Sequence, residues 1–471
     1  MNKYIAVIGI EMHIQMDTCS KMFSYAPVSK GKEANSCVGL YDFAFPGTLP
    51  TVNKQAIINA IRVANALNMS IDDTIMFERK NYFYSDLPKG YQLTQQFRPL
   101  GRDGYLLVGD KKIEIERLHI EEDTCKQLHD SDYSLLDYNR AGIPLVEIVT
   151  KPRSYSKEEV AKYVEKIRSI VSFLCVSSGR MEEGSLRCDV NVSLMKRGEN
   201  KFGTKVEVKN LNSISNIKKA IEYEISRQSK LLDEGKTIVQ ETRRFNEKSK
   251  KTALMRVKID EVDYKFFTEP NISPIKLSKE FIEEAIKSSP ELAEAKIKRY
   301  MSLGLNEYDS ALLTSSIEIS KYFEEVISYN TNPKATANCI NVLVLSYLNK
   351  NDITIDELSI RPKRLAQLIR LVESNKISIK QAKAIFATMI DSDLEPEEIM
   401  SKSNINQNSD VESLTKVVRQ VIDDNPEAIK DYKNGYDKAL GFLMGQVMKL
   451  TNGNANPQLA NKILIEEIQR R

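Results

Sequence analysis

Residues 117–147 bring carboxylate and imidazole side chains together at the spacing of a β-strand. His119, Glu121 and Glu122 stand close together, and Glu147 closes the stretch. Carboxylate oxygens are the ligands that Mg2+ prefers in proteins. A divalent metal is also a common means of neutralising the charge of a reacting phosphate group. The stretch therefore predicts a hard-metal site that handles phosphate.

A second pair of this kind, Glu11 and His13, lies near the N-terminus in a run rich in β-branched residues, 4–14. The run predicts a buried strand, and alternation along a strand places Glu11 and His13 on one face. Taken alone, the pair favours a surface strand with a polar face, because motifs this short recur by chance.

Glu147 is the residue that points most directly to a site. It lies within an apolar run, residues 143–149, which predicts a buried strand. A lone carboxylate in such a strand is costly unless it is paired or bound to a metal. In the strand that carries His119, alternation places His119 and Glu121 on one face. Glu122 then turns to the other face unless a bulge intervenes.

Two other stretches carry groups that suit phosphate. Residues 79–92 interleave Lys80 and other basic residues with aromatic ones, which is typical of a surface for a nucleotide or an RNA end. An aromatic strand with a charged face explains the same pattern. Arg187, Asp189 and Asn191 alternate along a predicted strand, and a strand face of these residue types indicates a polar cleft.

The elements that position these residues predict an α+β fold. Helices predicted at 53–67, 156–175 and 213–235 alternate with strands up to a proline-bounded turn. After this turn only helical patterns follow, interrupted by a polar stretch at 401–409 that predicts a linker. The expected domains are a sheet-containing domain at 1–277, an all-helical domain at 278–402 and a small all-helical tail at 411–471.

The composition narrows the class of protein. The 471 residues include 68 basic and 65 acidic ones, so any nucleic-acid surface must be local. Six cysteines form no Cys-x-x-Cys pair, which favours reduced thiols in a cytoplasmic protein. The N-terminus predicts a strand rather than a signal peptide, and no apolar run reaches the roughly 18–20 residues of a membrane span. We expect a cytoplasmic protein with no membrane partner.

These motifs, taken together and in this order, resemble the B subunits of the tRNA-dependent amidotransferases, the GatCAB complexes. The resemblance covers essentially the whole chain, and its combined specificity is high although each short piece alone is weak. The matching segments are residues 9–13, 20–24, 46–50, 79–92, 117–123, 137–147, 181–193, 203–213, 241–245, 431–435 and 456–457.

The resemblance implies a ligase that forms carbon–nitrogen bonds with glutamine as the nitrogen donor. The B subunit would bind Glu-tRNA(Gln), Asp-tRNA(Asn) or both, and use ATP and Mg2+ to convert the side-chain carboxylate to an acyl phosphate. Ammonia from the amidase (A) subunit would then displace phosphate, and a small C subunit would complete the heterotrimer. The implied fold is a mostly antiparallel-sheet cradle domain, a helical domain and a tRNA-binding tail similar to YqeY proteins.

The resemblance also implies the residues of the site. Lys80 and Arg187 are expected to contact phosphate or the acyl adduct, and Lys80, Glu122 and Glu147 to take part in catalysis. His13 is the least typical Mg2+ ligand, and could bind through water or act in proton transfer. The expected metal ligands are Glu11, His13, Glu147 and one or both of Glu121 and Glu122.

One departure from the family concerns zinc. Many members carry two cysteine pairs that form a zinc knuckle. The corresponding positions here are Ser24, Ala26 (or Tyr25), Gly39 and Asp42, so the four soft or imidazole ligands of a structural zinc are missing. We therefore expect no structural zinc.

Two competing functions fit the sequence less well. A non-catalytic tRNA-binding scaffold subunit of the same complex leaves the buried Glu147 unexplained. A stand-alone carboxylate–amine ligase of the ATP-grasp type needs a glycine-rich phosphate loop, which is not visible here. No Ser-Ser-Lys amidase stretch is visible either, so the glutaminase must be another chain. His129 is expected at the surface or on the RNA side.

Overall fold

The structure is a computed structural model that describes residues 3–28, 31–130, 132–257, 263–402, 411–433, 436, 438–451, 455 and 457–470. Most of the predicted linker at 401–409 lies outside these residues, as does the side chain of His129. The chain divides into two units, Met1–Ala293 and Glu294–Arg471.

The first unit contains the strands. They are β1 (Tyr4–Gln15), β2 (Ser70–Ile71), β3 (Thr74–Ile75), β4 (Glu78–Asn81), β5 (Tyr91–Thr94), β6 (Gly101–Val108), β7 (Lys111–Glu122), β8 (Lys126–His129), β9 (Ser134–Asp137), β10 (Pro144–Thr150), β11 (Leu186–Lys196), β12 (Val206–Lys209), β13 (Glu241–Asn246), β14 (Lys251–Val257), β15 (Phe267–Thr268) and β16 (Ile275–Lys276).

Nine strands form one sheet in the order β14-β13-β12-β11-β1-β10-β7-β6-β2. Its neighbours run antiparallel, except β12 and β13, which are parallel. The smaller sheets are β15-β4-β5, β16-β3 and β8-β9. The mostly antiparallel sheet is confirmed, and the first strand of the chain lies at its centre because β10 and β11 pair on either side of β1.

Helices cover one face of this sheet. The predicted helix starts are confirmed, because Asn53, Ser156 and Ser213 each accept a hydrogen bond from a backbone N–H in the first helical turn. Ser156 and Glu159 form a capping box. The helices of this unit are α1 (Lys54–Ala66), α2 (Lys157–Phe173), α3 (Ile214–Asp233) and α4 (Lys279–Lys287).

Alternation along β1 separates an apolar face from a polar one. Ile8, Ile10 and Met12 are buried in the hydrophobic core that the sheet forms with the helices. Glu11 and His13 point to the opposite face and are partly exposed. The apolar face therefore stabilises the sheet, while the other face remains available for chemistry.

The second unit is helical throughout its described residues, as expected. Two separate hydrophobic cores lie within it, one built from residues of 300–399 and one from residues of 414–468. Its helices are α5 (Ala293–Ser302), α6 (Glu307–Leu313), α7 (Ile317–Ser328), α8 (Pro333–Cys339), a π-helix (Ile340–Val344), α9 (Leu345–Asn351), a 3-10 helix (Ile355–Glu357), α10 (Pro362–Glu373), α11 (Ile379–Ile390), α12 (Pro396–Lys402), α13 (Val411–Asp424), α14 (Pro426–Lys433), α15 (Lys438–Leu450) and α16 (Pro457–Arg470).

The division between the units falls later than the expected boundary at 277/278. Helix α4 packs on α1, and Arg62 of α1 donates hydrogen bonds to the backbone carbonyls of Ala285 (3.2 Å) and Ser288 (3.1 Å). These contacts join α4 to the sheet-containing unit. The three-domain division with a tail at 411–471 stays a prediction, although the two helical cores agree with it.

Candidate active site

The pairing of four adjacent strands aligns charged side chains across the polar face of the sheet. His13 of β1 lies opposite Glu147 of β10 on one side and opposite Arg187 of β11 on the other. Glu147 in turn lies opposite His119 of β7. Residues from distant parts of the sequence thus meet in one row, which explains how a lone carboxylate is tolerated in the apolar strand β10.

The carboxylates and imidazoles of this row form one cluster. The Nε2 atom of His13 lies 3.4 Å from a carboxylate oxygen of Glu147, 3.5 Å from one of Glu121 and 3.8 Å from one of Glu11. His119 Nε2 lies 3.0 Å from Glu147 and 3.7 Å from Glu121. Two overlapping groups of three, Glu11-His13-Glu147 and His119-Glu121-Glu147, therefore have donor atoms at spacings that suit a metal ion.

Burial and charge set the protonation of the cluster. Burial lowers the pKa of His13, but the hydrogen bond and charge of Glu147, with the charges of Glu121 and Glu11, outweigh it and raise that pKa to about 9. The pKa of His119 is likewise raised to about 10 against the effect of burial. The two imidazoles hold the pKa of Glu147 well below its usual range despite its burial, whereas burial and the charge of Glu147 raise the pKa of Glu11.

We expect the metal-free chain to lose stability as the pH rises from about 7 to about 9. An unfolded histidine loses its proton near pH 6.5, while folded His13 and His119 retain theirs to about 9 and about 10. The folded state then binds more protons than the unfolded state, so the free energy of unfolding falls with rising pH. Thermal unfolding in EDTA at several pH values measures the slope. The double variant His13→Asn/His119→Asn should have a flatter slope, and an unchanged slope would contradict this assignment.

Arg187 lies beside the cluster and is held by a buried carboxylate. Its Nη2 atom donates to Asp123 (2.8 Å), which also accepts a hydrogen bond from Gln15 (2.8 Å). The Nε atom of Arg187 is buried and has no hydrogen-bond partner among the described residues. Asp123 raises the pKa of Arg187, so a fixed positive charge stands next to the carboxylates.

Glu122 does not join the cluster. As alternation predicts, its side chain turns to the other face, since the only register shift between β7 and β10 lies at Val149/Thr150. Its carboxylate accepts hydrogen bonds from Lys89 (2.5 and 2.6 Å) and from the backbone N–H of Leu93 (3.1 Å). Of the two glutamates left open as metal ligands, the geometry favours Glu121.

Lys80 is not in contact with the cluster. It lies on β4 with its ammonium group 4.8 Å from the ring centre of Tyr264 and 6.0 Å from that of Tyr82. Burial raises the pKa of Tyr82, and the charges of Asp86 and Glu121 raise it further. Tyr82 is thus near both Lys80 and the carboxylates, and a role for Lys80 at the site stays a prediction.

A cavity of about 590 Å³ adjoins the cluster on the polar face of the sheet. Glu11 belongs to both, so a molecule in the cavity would lie against one carboxylate of the cluster. The half-exposed ring of Phe202 offers a stacking surface. The lining residues relevant to a charged ligand are Gly9, Glu11, Arg117, Asn191, Phe202 and Lys205.

The four positions that correspond to the family's zinc ligands lie together. A Cβ atom built on Gly39 would be 3.3 Å from Ala26 Cβ, Ser24 Oγ and Asp42 Oδ2. Hydrogen bonds join them, because Asp42 accepts from Ser24 Oγ (3.1 Å) and from the backbone N–H of Gly39 (2.8 Å). The fully buried ammonium of Lys21 lies 3.1 Å from the same carboxylate. One hydroxyl and one carboxylate do not form a structural zinc site, and the absence of zinc stays a prediction.

Replacing Asp42 by Ala should therefore destabilise the fold without any metal being involved. The change leaves the buried Lys21 without its anion, which costs about 3–5 kcal/mol. Chemical unfolding measures the loss, and metal analysis of the wild-type chain should find no stoichiometric zinc. Asp103→Ala, which removes the exposed pair with Lys151, is the control and should change little. A wild-type chain that loses stability on zinc chelation would contradict the prediction.

Some residues of the site could not be assigned from the sequence. Lys89 lies in the basic and aromatic stretch, but nothing local indicates that it binds Glu122. His119 was not among the expected ligands, although its spacing from Glu121 places both on one face. Asp123 adjoins Glu122 in sequence, and only the fold shows that it anchors Arg187.

Comparison with known proteins identifies the family. The GatB/GatE catalytic domain matches residues 6–283, and the GatB domain matches residues 321–468. Two mollicute relatives, from Mycoplasma mycoides and Mesoplasma florum, are each 46% identical over the full length of both chains. A relative from Bacillus cereus is 45% identical over 99% of each chain. All three are B subunits of aspartyl/glutamyl-tRNA(Asn/Gln) amidotransferases. The chain belongs to this GatB family.

Among the described residues, no helix is both long and apolar enough to cross a bilayer.

Proposed function

We propose that the chain is the ATP-dependent activating subunit of a tRNA-dependent amidotransferase. Its substrates are Glu-tRNA(Gln), Asp-tRNA(Asn) or both, and it acts in the cytoplasm in a heterotrimer with an amidase (A) subunit and a small C subunit. The observation that carries the proposal is the cluster of Glu11, His13, Glu121, Glu147 and His119 on the polar face of the sheet beside Arg187. Membership of the GatB family supports it.

The donor set of the cluster fits Mg2+. Three carboxylates supply the oxygen ligands that Mg2+ prefers. Glu11, Glu121 and Glu147 would hold it, while His13 and His119 orient the carboxylates by hydrogen bonds. When bound, Mg2+ supplies positive charge next to the phosphates of ATP.

Residues around the cluster suit the two reactants. The cavity lined by Phe202 and Lys205 is large enough for a nucleotide whose phosphates point towards Glu11. Arg187, fixed by Asp123 opposite His13, would stabilise the charge that develops on the transferred phosphoryl group. Lys80 lies among aromatic rings that offer a stacking surface for the 3′ end of the tRNA.

The reaction proceeds in two substitutions. An oxygen of the substrate's side-chain carboxylate attacks the γ-phosphorus of ATP, and ADP leaves. Ammonia then attacks the carbonyl carbon of the acyl phosphate, phosphate leaves, and a proton is lost to give the amide. Both steps require that the substrate's carboxyl group is held in place and that water is excluded. The buried glutamates of the cluster and Arg187 favour this, because they fix the charges around that carboxyl group.

An amidation assay with the reconstituted heterotrimer tests the proposal. Glutamine, ATP and each of the two mischarged tRNAs should give Gln-tRNA(Gln), Asn-tRNA(Asn) or both. ATP hydrolysis should depend on the mischarged tRNA. A scaffold protein would bind the tRNA without this hydrolysis, so tRNA binding with no ATP turnover on either tRNA would refute the activating role.

Deleting residues 411–471 should raise the dissociation constant for tRNA by about tenfold or more. A tenfold rise corresponds to a loss of about 1.4 kcal/mol of binding free energy. This segment has its own hydrophobic core, so its removal leaves the core of residues 300–399 intact. We propose that it contacts the body of the tRNA, as the family resemblance implies. A binding titration with the truncated and full chains measures the change, with circular dichroism as the control for folding. Equal affinities would contradict the tRNA-binding role of the tail.

A further inference from the structure

Glu78, the first residue of β4, is a buried carboxylate with only one oxygen in use. Its Oε2 atom accepts hydrogen bonds from the backbone N–H groups of Gln96 (2.7 Å) and Phe97 (3.3 Å). Its Oε1 atom is buried and has no hydrogen-bond partner among the described residues. An unsatisfied buried oxygen of this kind is costly. A purely structural role, holding the turn after β5, accounts for Oε2 and leaves Oε1 unexplained.

His119 presents the complementary problem. Its Nε2 atom faces Glu147 and Glu121 of the cluster. Its Nδ1 atom is buried and also lacks a partner among the described residues. An imidazole that acts through Nε2 normally donates its other N–H to a carboxylate, a carbonyl or a water molecule, which fixes the ring. His119 therefore requires an acceptor on its Nδ1 side.

The fold joins the two segments that carry these groups. Gln95, which directly follows β5, accepts a hydrogen bond from the backbone N–H of Ile120 (2.9 Å) and donates one to the carbonyl of Met76 (3.2 Å). Its side chain thus ties β7, one residue after His119, to the segment that leads into Glu78. The charge of His119 also acts to lower the pKa of Glu78, against the effect of burial.

We propose that Glu78 is a positioning residue for His119 and acts through one buried water molecule between Glu78 Oε1 and His119 Nδ1–H. The water satisfies both orphaned atoms, and buried waters commonly join polar groups in this way. The resulting series of hydrogen bonds runs from Glu78 through the water molecule and His119 to Glu147. It keeps the imidazole ring turned so that Nε2 faces the carboxylates that would hold the metal.

The first test observes the contact without any metal or activity. The chain has only three histidines, so a sample with 15N-labelled histidine gives a simple imidazole spectrum. Glu78→Gln retains an oxygen for the backbone N–H of Gln96 but removes the charge. It should shift the His119 ring signals and speed exchange of the Nδ1 proton, while the His129 signals stay in place.

The second test measures metal affinity. Mn2+, which serves as a paramagnetic probe for Mg2+, is titrated into the full chain and followed by electron paramagnetic resonance. Loss of a partner that orients a group of the metal site typically weakens binding about 10–100-fold. We expect a rise of this size in the Mn2+ dissociation constant of Glu78→Gln. This arm rests on the proposed function, whereas the histidine spectrum does not.

Glu269→Gln is the matched control. Glu269 is as buried as Glu78 and follows β15, which pairs with β4. Both of its oxygens have partners in Arg79 (2.5 and 3.1 Å) and in the backbone N–H of Asn271 (2.9 Å). Its loss should affect stability and leave the His119 signals and the Mn2+ affinity unchanged.

The outcomes separate the two proposals. Unchanged His119 signals in a folded Glu78→Gln variant, or equal shifts in Glu269→Gln, would overturn the positioning role. A wild-type chain that binds no Mn2+ would overturn the proposed metal site, and the histidine spectra would still decide whether Glu78 contacts His119. If Glu78→Gln fails to fold, Glu78→Asp takes its place. Glu78→Asp keeps the charge, but its side chain is shorter by one methylene group, so its oxygens lie farther from the water molecule. The same shifts of the His119 ring signals are expected.

Discussion

Glu147→Gln should lower the rate of tRNA-dependent ATP hydrolysis by more than about 100-fold. Replacing a residue that only hydrogen-bonds to a metal ligand already lowers metal affinity or activity by up to about 100-fold, and Glu147 is itself an expected ligand. Glu147 lies nearer to both imidazoles, at 3.4 and 3.0 Å, than Glu121 does, and Gln cannot supply its charge. His13→Ala should have an effect of the same kind. Binding of the mischarged tRNA should stay near normal, since the carboxylates hold metal rather than RNA. Single-turnover ATP hydrolysis and a tRNA titration measure the two effects.

Glu241→Gln provides the comparison for this experiment. Glu241 is a buried carboxylate of the same sheet, but it lies on β13 and pairs with Arg227 (3.0 Å) and Arg243 (2.9 Å). Its replacement should lower stability and leave ATP hydrolysis intact. If Glu147→Gln and His13→Ala both retained full activation of the substrate, the assignment of a metal site to this cluster would be wrong.

Arg187→Met should lower the rate of ATP hydrolysis by about 100–1,000-fold, the usual effect of removing a group that stabilises charge in the transition state. Arg187 faces the cluster from β11, and its guanidinium is already fixed by Asp123, so little conformational freedom is lost when phosphate binds. Arg187→Lys should recover only part of the rate, because an ammonium group does not reproduce the planar guanidinium. The rate at saturating ATP and tRNA is the measurement.

Arg140 offers a matched control for Arg187. It also approaches Asp123, at 3.8 Å, but its hydrogen bonds go to the backbone carbonyls of Thr124 (2.9 Å) and Cys125 (2.7 Å). Arg140→Met tests whether loss of a cation near Asp123 is enough to impair the reaction. Equal losses in the two variants would show that Asp123 is merely destabilised, and the phosphate-contacting role of Arg187 would be rejected.

Local periodicity explains which parts of the site could be predicted from the sequence. A strand has a period of two residues, so the shared face of Glu11 and His13, and that of His119 and Glu121, follow from spacing alone. The same rule sends Glu122 to the opposite face. The starts of α1, α2 and α3 follow from capping residues such as Asn53, which act within one turn.

The remaining features depend on pairing between distant strands. Nothing local determines that His13 lies opposite both Glu147 and Arg187, because register between β1, β10 and β11 is set by the packing of the whole apolar face. The Lys89–Glu122 pair, and the hydrogen bonds by which Gln95 joins Ile120 to Met76, depend on how separate sheets pack. The attachment of α4 to α1 similarly depends on tertiary contacts of Arg62.

The central position of β1 also has a consequence for synthesis of the protein. β1 leaves the ribosome before both of its partners, which are residues 144–150 and 186–196. Until those segments emerge, β1 is an apolar strand whose backbone hydrogen-bonding groups are unpaired on both edges. Such strands are prone to aggregate. The ionisable residues on its polar face, Glu11 and His13, oppose self-association in that interval. We therefore expect the nascent chain to aggregate most readily, and to benefit most from a chaperone, before β11 has left the ribosome.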